Sequence, residues 1–294
     1  MNLRKRISVS KRFLPAGSAP RQGVDILRLL LFNETLHFHW RQTYYYRYTP
    51  FAMKILIWNI MHGGGRRADK IVERIGQGSP DIVILTEFRG TPPSREIASR
   101  IEELGLPHQL NTASDNHPSK NALLLASRWP LRRIHWRRPP EPAERRLLAH
   151  VRAPTPITIA AVHVPNRVSG IKYPFLDALR DLTRRRRGGD AIVAGDFNTG
   201  RIHEDETVKC FNRREDDFMT AMSDAGWADA YRSVHGRKRA YTWRAPGGGG
   251  SFRLDHAFVN RRAQDRLLDA RIDWPPGNPR PPSDHAALWI TLKD

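Results

Sequence analysis

The run Ala191-Ile192-Val193-Ala194-Gly195-Asp196-Phe197-Asn198 sets four apolar residues directly before a carboxylate and an amide. Consecutive small and branched apolar side chains read as a strand buried on both faces. Such a strand has no reason to end in strongly solvated groups unless those groups converge on something. The pattern recurs along the chain. Lys54 to Trp58 ends in Asn59, Asp81 to Leu85 leads to Thr86-Glu87, and Ile157 to Val162 leads to His163. Leu254 to Val259 carries Asp255 near its start, and Ala287 to Leu292 follows Ser283-Asp284-His285. One polar strand ending is commonly a turn former. Six in one chain make coincidence a poor account.

The segments between these runs read as helices or loops. Ala68 to Ile75 places Ile71, Val72 and Ile75 on one side, Ser94 to Leu104 does the same with Ile97, Ile101 and Leu104, and Phe175 to Thr183 with Phe175, Leu176, Leu179 and Leu182. These stripes are most simply faces that pack on a sheet. Asn121 to Ser127 reads as a further strand, Pro139-Pro140-Glu141-Pro142 as a turn-rich connection, and Gly247 to Gly250 as a loop leading into the strand at Arg253 to Val259. Neither that glycine run nor Gly63-Gly64-Gly65 carries the lysine and hydroxyl of a phosphate-cradling loop. Short strands mixed with helices at irregular spacing, without an internal repeat, predict an α/β sandwich of two sheets rather than a regular barrel or doubly wound sheet.

With 294 residues, 39% hydrophobic and 27% charged, the chain can build one large domain with a substantial core. Its single cysteine, Cys210, excludes an intramolecular disulfide and a thiolate zinc site, so nothing calls for an oxidising compartment, and a cytoplasmic location is expected. No run of about 20 apolar residues exists, so no transmembrane helix is expected. The net charge of +19 and a pI near 10.9 suit a protein that meets polyanions. Arginine supplies 40 of the 49 basic residues, a skew that codon bias alone could produce. Clusters such as Arg132-Arg133, Arg137-Arg138, Arg145-Arg146 and Arg184 to Arg187 can equally be solvated surface.

Residues 1 to 52 carry nine Lys and Arg against two acids and end near the aromatic cluster Tyr44-Tyr45-Tyr46. Arg28 interrupts their one apolar stretch, Ile26 to Phe32, which disfavours a secretory signal. Met53 immediately precedes the first strand and is a natural start for the folded domain, taken as residues 53 to 294. The preceding segment is expected to be a flexible basic arm or the product of an upstream start codon.

The polar strand endings supply what phosphoester cleavage needs: groups to hold a charge-neutralising metal, to activate water, and to stabilise or protonate the leaving oxygen. Glu87 is a hard carboxylate suited to Mg²⁺, and Asn59 can add an amide oxygen or orient Glu87. Asp196 can orient or deprotonate the attacking water, and Asn198, two positions on, can donate to a phosphate oxygen; the rival reading of this tetrapeptide is an Asx turn. His285 is a general-base candidate whose tautomer Asp255 can fix, with Asp284 as a second metal or water contact. His163 can donate to the leaving oxygen and Asn166 can contact the phosphate, against a plain loop at Pro165.

These motifs, from about Met53 to Leu292, resemble the endonuclease/exonuclease/phosphatase superfamily, the fold of DNase I and exonuclease III. The resemblance implies a four-layered α/β sandwich of two mixed β-sheets flanked by helices. It also implies Mg²⁺, with Mn²⁺ as a substitute, held at Asn59 and Glu87. Asp196 and Asn198 then lie around the nucleophile and phosphate, Asp284 and His285 at the C-terminal end of the site, and Asp255 beside the histidine. Two positions depart from the apurinic-endonuclease branch: Met61 stands where a second acid is usual, and His163 where tyrosine is usual, although Val164-Pro165-Asn166 fits. The expected function is a nuclease acting on DNA as a monomer, without stable membrane insertion. The alternatives are a phosphoesterase of small or lipid phosphoesters and a catalytically silent binding module.

Overall fold

The computed structural model describes residues 52–186, 188–275 and 281–294, so the expected basic arm lies outside the described residues except for Ala52. The first sheet contains β1 (Ala52–Asn59), β2 (Ile82–Phe88), β3 (His108–Asn111), β4 (Ala122–Ser127), β13 (Leu267–Asp273) and β14 (Ala287–Lys293), in the order β13-β14-β1-β2-β4-β3. The second contains β5 (Leu131–Arg133), β6 (Arg146–Val151), β7 (Ile157–His163), β8 (Asp190–Asp196), β9 (Trp227–Asp229) and β12 (Asp255–Asn260), in the order β5-β6-β7-β8-β12-β9. A short hairpin of β10 (Trp243–Arg244) and β11 (Ser251–Phe252) stands apart, joined through the Gly247–Gly250 loop. Both sheets are mixed, because the central pairs β1/β2 and β7/β8 are parallel and the remaining pairings antiparallel.

Side-chain alternation along the strands explains the layering. Ile55 and Ile57 of β1 face inward with Ile82, Ile84, Leu123 and Leu125 and meet Ala149, Ile159, Ala161, Ile192 and Ala194 of the opposite sheet. Leu56 and Trp58 face outward and pack under α1 (Ala68–Gly78) and α2 (Pro92–Glu103) through Ile71, Ile75, Ile97 and Ile101. On the second sheet, Ala160, Val162, Ala191 and Val193 pack under α3 (Lys172–Arg185) and α4 (Arg213–Asp224) through Phe175, Leu179, Phe218 and Met222. The result is a four-layered α/β sandwich, as the sequence predicts. Truncating a central residue such as Ile57 to alanine should cost about 2–5 kcal/mol.

All seven strands and three helices read from sequence are present, with ends moved by a few residues. The unanticipated strands lie mostly at sheet edges and carry mixed side chains, as in Leu131-Arg132-Arg133 and Leu267–Asp273. The helix α4 did carry a legible signal. Asn212 accepts from the Glu215 N–H while the Glu215 carboxylate accepts from the Asn212 N–H, a complete capping box. Two shorter helices, α5 (Ala230–His235) and α6 (Arg261–Gln264), follow. Among the described residues no helix is long and apolar enough to cross a membrane.

Candidate active site

The topology brings the polar strand endings to one place. Because β1 and β2 run parallel, Asn59 and Glu87 leave the first sheet at the same edge, and the parallel pair β7 and β8 does the same for His163 and Asp196. Antiparallel β12 sets Asp255 directly opposite Asp196. Antiparallel β14 starts beside the end of β1, so Asp284 and His285 arrive there too. Two bonds tie that approach down: Trp58 Nε1 donates to the His285 carbonyl at 2.9 Å, and Ser283 Oγ donates to the Asn59 carbonyl at 2.6 Å. A cavity of about 800 Å³ opens at this edge. Glu87, His163, Asn166, Asp196, Asn198, Asp284 and His285 line it, with Asn59 and Asp255 fully buried.

Glu87 reaches the cavity through a bulge. The β2/β4 register shifts between Thr86 and Phe88, and Glu87 sits at φ 56°, a left-handed conformation that a non-glycine residue holds only when its surroundings enforce it. Its carboxylate accepts from the His62 N–H at 2.7 Å and from Asn59 Nδ2 at 3.3 Å. The same Asn59 amide donates to Asp196 Oδ2 at 2.9 Å, while its oxygen accepts from the Met61 N–H at 2.9 Å. Asn59 therefore bridges two carboxylates from different sheets and spends its oxygen on the backbone, which favours the orienting role over that of a ligand.

The turn after β8 depends on Gly195. At φ 143° a Cβ there would lie 1.8 Å from the Val162 carbonyl oxygen, so no other residue fits without moving β7. Asp196 Oδ1 accepts from the Asn198 N–H at 2.8 Å, and Asn198 Nδ2 donates to the Val164 carbonyl at 2.9 Å. The Asx turn is present, and it places Asp196 and Asn198 together on the cavity wall. Burial, and then the nearby Asp255 carboxylate, push the Asp196 carboxyl up to about 7 against the attraction of His285. Asn166 is exposed at the rim, and its side-chain oxygen caps the turn ahead by accepting from the Ser169 N–H.

His285 and Asp255 form a buried pair, with His285 Nδ1–H donating to Asp255 Oδ2 at 2.7 Å. Burial opposes charge on this ring, but the Asp255 carboxylate outweighs it and raises the imidazole to about 9, with Asp196 and Asp284 adding to the effect. His163 takes the opposite course. Burial, then Arg145 and His285, hold it well below its ordinary value, so its ring is neutral, with Nε2 3.6 Å from Asp196 Oδ2. Among the described residues, His163 Nδ1 and Asp255 Oδ1 are buried without a hydrogen-bond partner.

Ligand atoms of Asp196, Asp255 and His285 lie within 4.8 Å of one another and could hold a divalent metal. Glu87 and Asp284 add hard oxygen donors to the same cavity. The donor set fits a cation: the buried Asp196 and Asp255 carboxylates face each other, and among the described residues Asp255 Oδ1 has no hydrogen-bond donor.

Three supporting residues gave no clear sequence signal. Trp243 Nε1 donates to Asp284 Oδ2 at 2.9 Å. Thr242 Oγ1 accepts from the Asp255 N–H at 3.0 Å. Lys172, buried beside Glu215, donates to the Asn198 carbonyl at 2.6 Å and so links the α4 capping box to the Asp196 turn. In sequence, Ile171-Lys172-Tyr173 looks like any helix start.

Comparisons with known proteins agree with this fold. The sequence matches no curated protein. Among solved structures, a 3' phosphatase, NExo, from Neisseria bound to a product DNA hairpin superposes with a TM-score of 0.67 at 23% identity, over 82% of this chain and 99% of that one. An AP endonuclease from Archaeoglobus fulgidus gives 0.68 at 18% identity, over 82% and 100%. The AP endonuclease LMAP from Leishmania major gives 0.64 at 16% identity, over 83% and 88%. Residues 56–285, which span every site residue described above, match the Endonuclease/Exonuclease/phosphatase family. The chain belongs to that family and is a hydrolase of phosphoester bonds.

Proposed function

We propose that this chain is a Mg²⁺-dependent phosphodiesterase that cuts nucleic acid, DNA first, by direct in-line attack of water without a covalent enzyme intermediate. The observation that carries the reading is the buried meeting of Asp196 with the Asp255–His285 pair in the cavity that Glu87 also enters. Glu87 and Asp284 would hold the cation through oxygen, with Asn59 fixing the Glu87 carboxylate; Mn²⁺ would substitute. When bound, the metal supplies neutralisation of phosphate charge.

The residues divide the proton work. A carboxyl poised near 7 suits Asp196 as the base that takes the proton of the attacking water. The His285 imidazolium, held charged by Asp255, donates to a phosphate oxygen, and neutral His163 offers an N–H toward the leaving oxygen. Asn166 and Asn198 contact the phosphate. The nucleic-acid assignment is supported by the net charge of +19 and by relatives that act on or are bound to DNA. Residues 53 to 294 form the catalytic domain in this reading, and residues 1 to 52 a basic extension.

The test is hydrolysis of supercoiled plasmid, single-stranded DNA, RNA and a chromogenic phosphodiester, each with Mg²⁺ or with chelator. Metal-dependent cutting of DNA that weakens steeply with salt is the expected result. Hydrolysis of the small ester alone would move the substrate to small or lipid phosphoesters.

A further inference from the structure

In sequence Arg145-Arg146 looks like one of several solvated basic pairs. The fold divides it. Arg146 opens β6 and pairs with Glu141 Oε1 at 3.0 Å. Arg145, the last residue of a short 3₁₀ turn, instead lines the catalytic cavity with Glu87, His163 and Asp196.

Its guanidinium is in an unusual position. Among the described residues it has no side-chain hydrogen bond and no ion pair, although it is mostly withdrawn from solvent. Burial lowers its pKa, and the fields of Asp196, Glu87 and Glu144 only partly offset that cost. Other arginines withdrawn from solvent here have acceptors. Arg67 donates to the Ile60 and Pro282 carbonyls, Arg253 to Asp205 and Asp229, and Arg232 to the Gly236 carbonyl. A planar donor left unpaired and facing a cavity calls for a planar or tetrahedral oxyanion from outside the protein.

We propose that Arg145 is a further catalytic residue, a clamp on the non-bridging oxygens of the scissile phosphate that strengthens as charge builds there in the transition state. The proposal rests on the phosphodiesterase reading above and deepens it. It gives the cavity a fixed positive group in addition to His285, and makes an anionic phosphoester, rather than a neutral ester, the substrate. Its charge also adds to burial, the larger cause, in opposing protonation of His163.

Two measurements on the full chain test this, with Arg145→Gln and Arg145→Lys. The first is calorimetric binding of inorganic phosphate near pH 6, without metal and with saturating Mg²⁺. Arg145→Gln should weaken phosphate at least about tenfold, and Arg145→Lys should weaken it less, because lysine keeps the charge but not the bidentate fork. Equal affinity in all three proteins, or no phosphate binding by the wild type in either condition, overturns the proposal. The second is hydrolysis of plasmid and of the chromogenic diester. Arg145→Gln should lose about 10²–10³-fold in kcat, the cost of removing one transition-state donor, with KM changed far less. Full rescue by lysine together with a displaced acid limb of the pH profile would mean that Arg145 only neutralises Asp196, and overturns the clamp. If the wild type hydrolyses no phosphoester at all, the phosphodiesterase reading fails, and phosphate binding still decides the role of Arg145.

Discussion

Replacing Asp255 with asparagine tests the electrostatics of the site at one atom. The side chain stays the same size and its backbone bond to Thr242 remains, but the charge facing His285 Nδ1 at 2.7 Å is gone. Burial then opposes the imidazolium against only the weaker pull of Asp196 and Asp284, so its pKa should fall from about 9 toward the ordinary 6.5. At about 1.36 kcal/mol per pH unit, that fall is worth roughly 3 kcal/mol of preference for the imidazolium. Near pH 8 the wild-type ring is about nine-tenths protonated and the variant ring about one-thirtieth, so an activity that needs the imidazolium drops by roughly 30-fold there. NMR titration of the ring protons in the metal-free protein reads the pKa directly, and the pH–rate profile reads its consequence. The sign also carries to stability. A histidine raised by folding stabilises fully below about 6.5 and loses that contribution as pH rises through about 9, so the wild type should weaken across that window and the variant should not. An unchanged His285 titration in Asp255→Asn would refute the reasoning.

Other outcomes follow from the same coordinates. Asp196→Asn should abolish turnover yet raise the urea midpoint at pH 8: burial penalises the wild-type carboxylate above its unfolded pKa of about 4, fully so above about 7, and the gain should vanish in acid. Gly195→Ala, whose Cβ would meet the Val162 oxygen at 1.8 Å, should cost more than about 4 kcal/mol or prevent soluble expression, as a melt or solubility assay would show. Arg253→Met removes a guanidinium that donates to Asp205 at 2.8 Å and Asp229 at 2.7 Å, leaving the buried Asp205 carboxylate and the partly buried Asp229 carboxylate short of partners. Denaturation should show a loss of about 3–5 kcal/mol. Burial opposes the charge on Asp205 and Asp229, but Arg253 outweighs it and holds both below the ordinary carboxylate range, so their stabilising contribution is present above about pH 4 and lost in stronger acid.

The sandwich was legible because its central strands are buried on both faces and therefore nearly uninterrupted in apolar content, as at Ile55-Leu56-Ile57-Trp58 and Ala191-Ile192-Val193-Ala194. Edge strands such as Leu131–Arg133 and Leu267–Asp273 mix apolar with charged side chains and look like loop. The residues at the strand ends were legible for the complementary reason: a carboxylate or imidazole at the end of a buried strand is costly to desolvate unless it has work to do. What sequence did not reveal is how those residues contact one another. Nothing in the spelling of Asn59 says that its amide joins Glu87 to Asp196, and nothing in Arg145-Arg146 says which arginine faces the cavity. Those facts arise from strand register and a bulge, which are set by the whole sheet.

The central claim is that this cavity cuts phosphodiesters by metal-assisted attack of water, and it stands most directly on single-turnover nicking of supercoiled plasmid at saturating Mg²⁺ by wild type, Glu87→Gln and His285→Ala. The expected result is cleavage by the wild type that chelator abolishes, a fall of about 10²–10⁴-fold in His285→Ala, and a lower rate with a higher Mg²⁺ requirement in Glu87→Gln. Nicking that survives chelation, or variants within about threefold of wild type where that loss is expected, would contradict it.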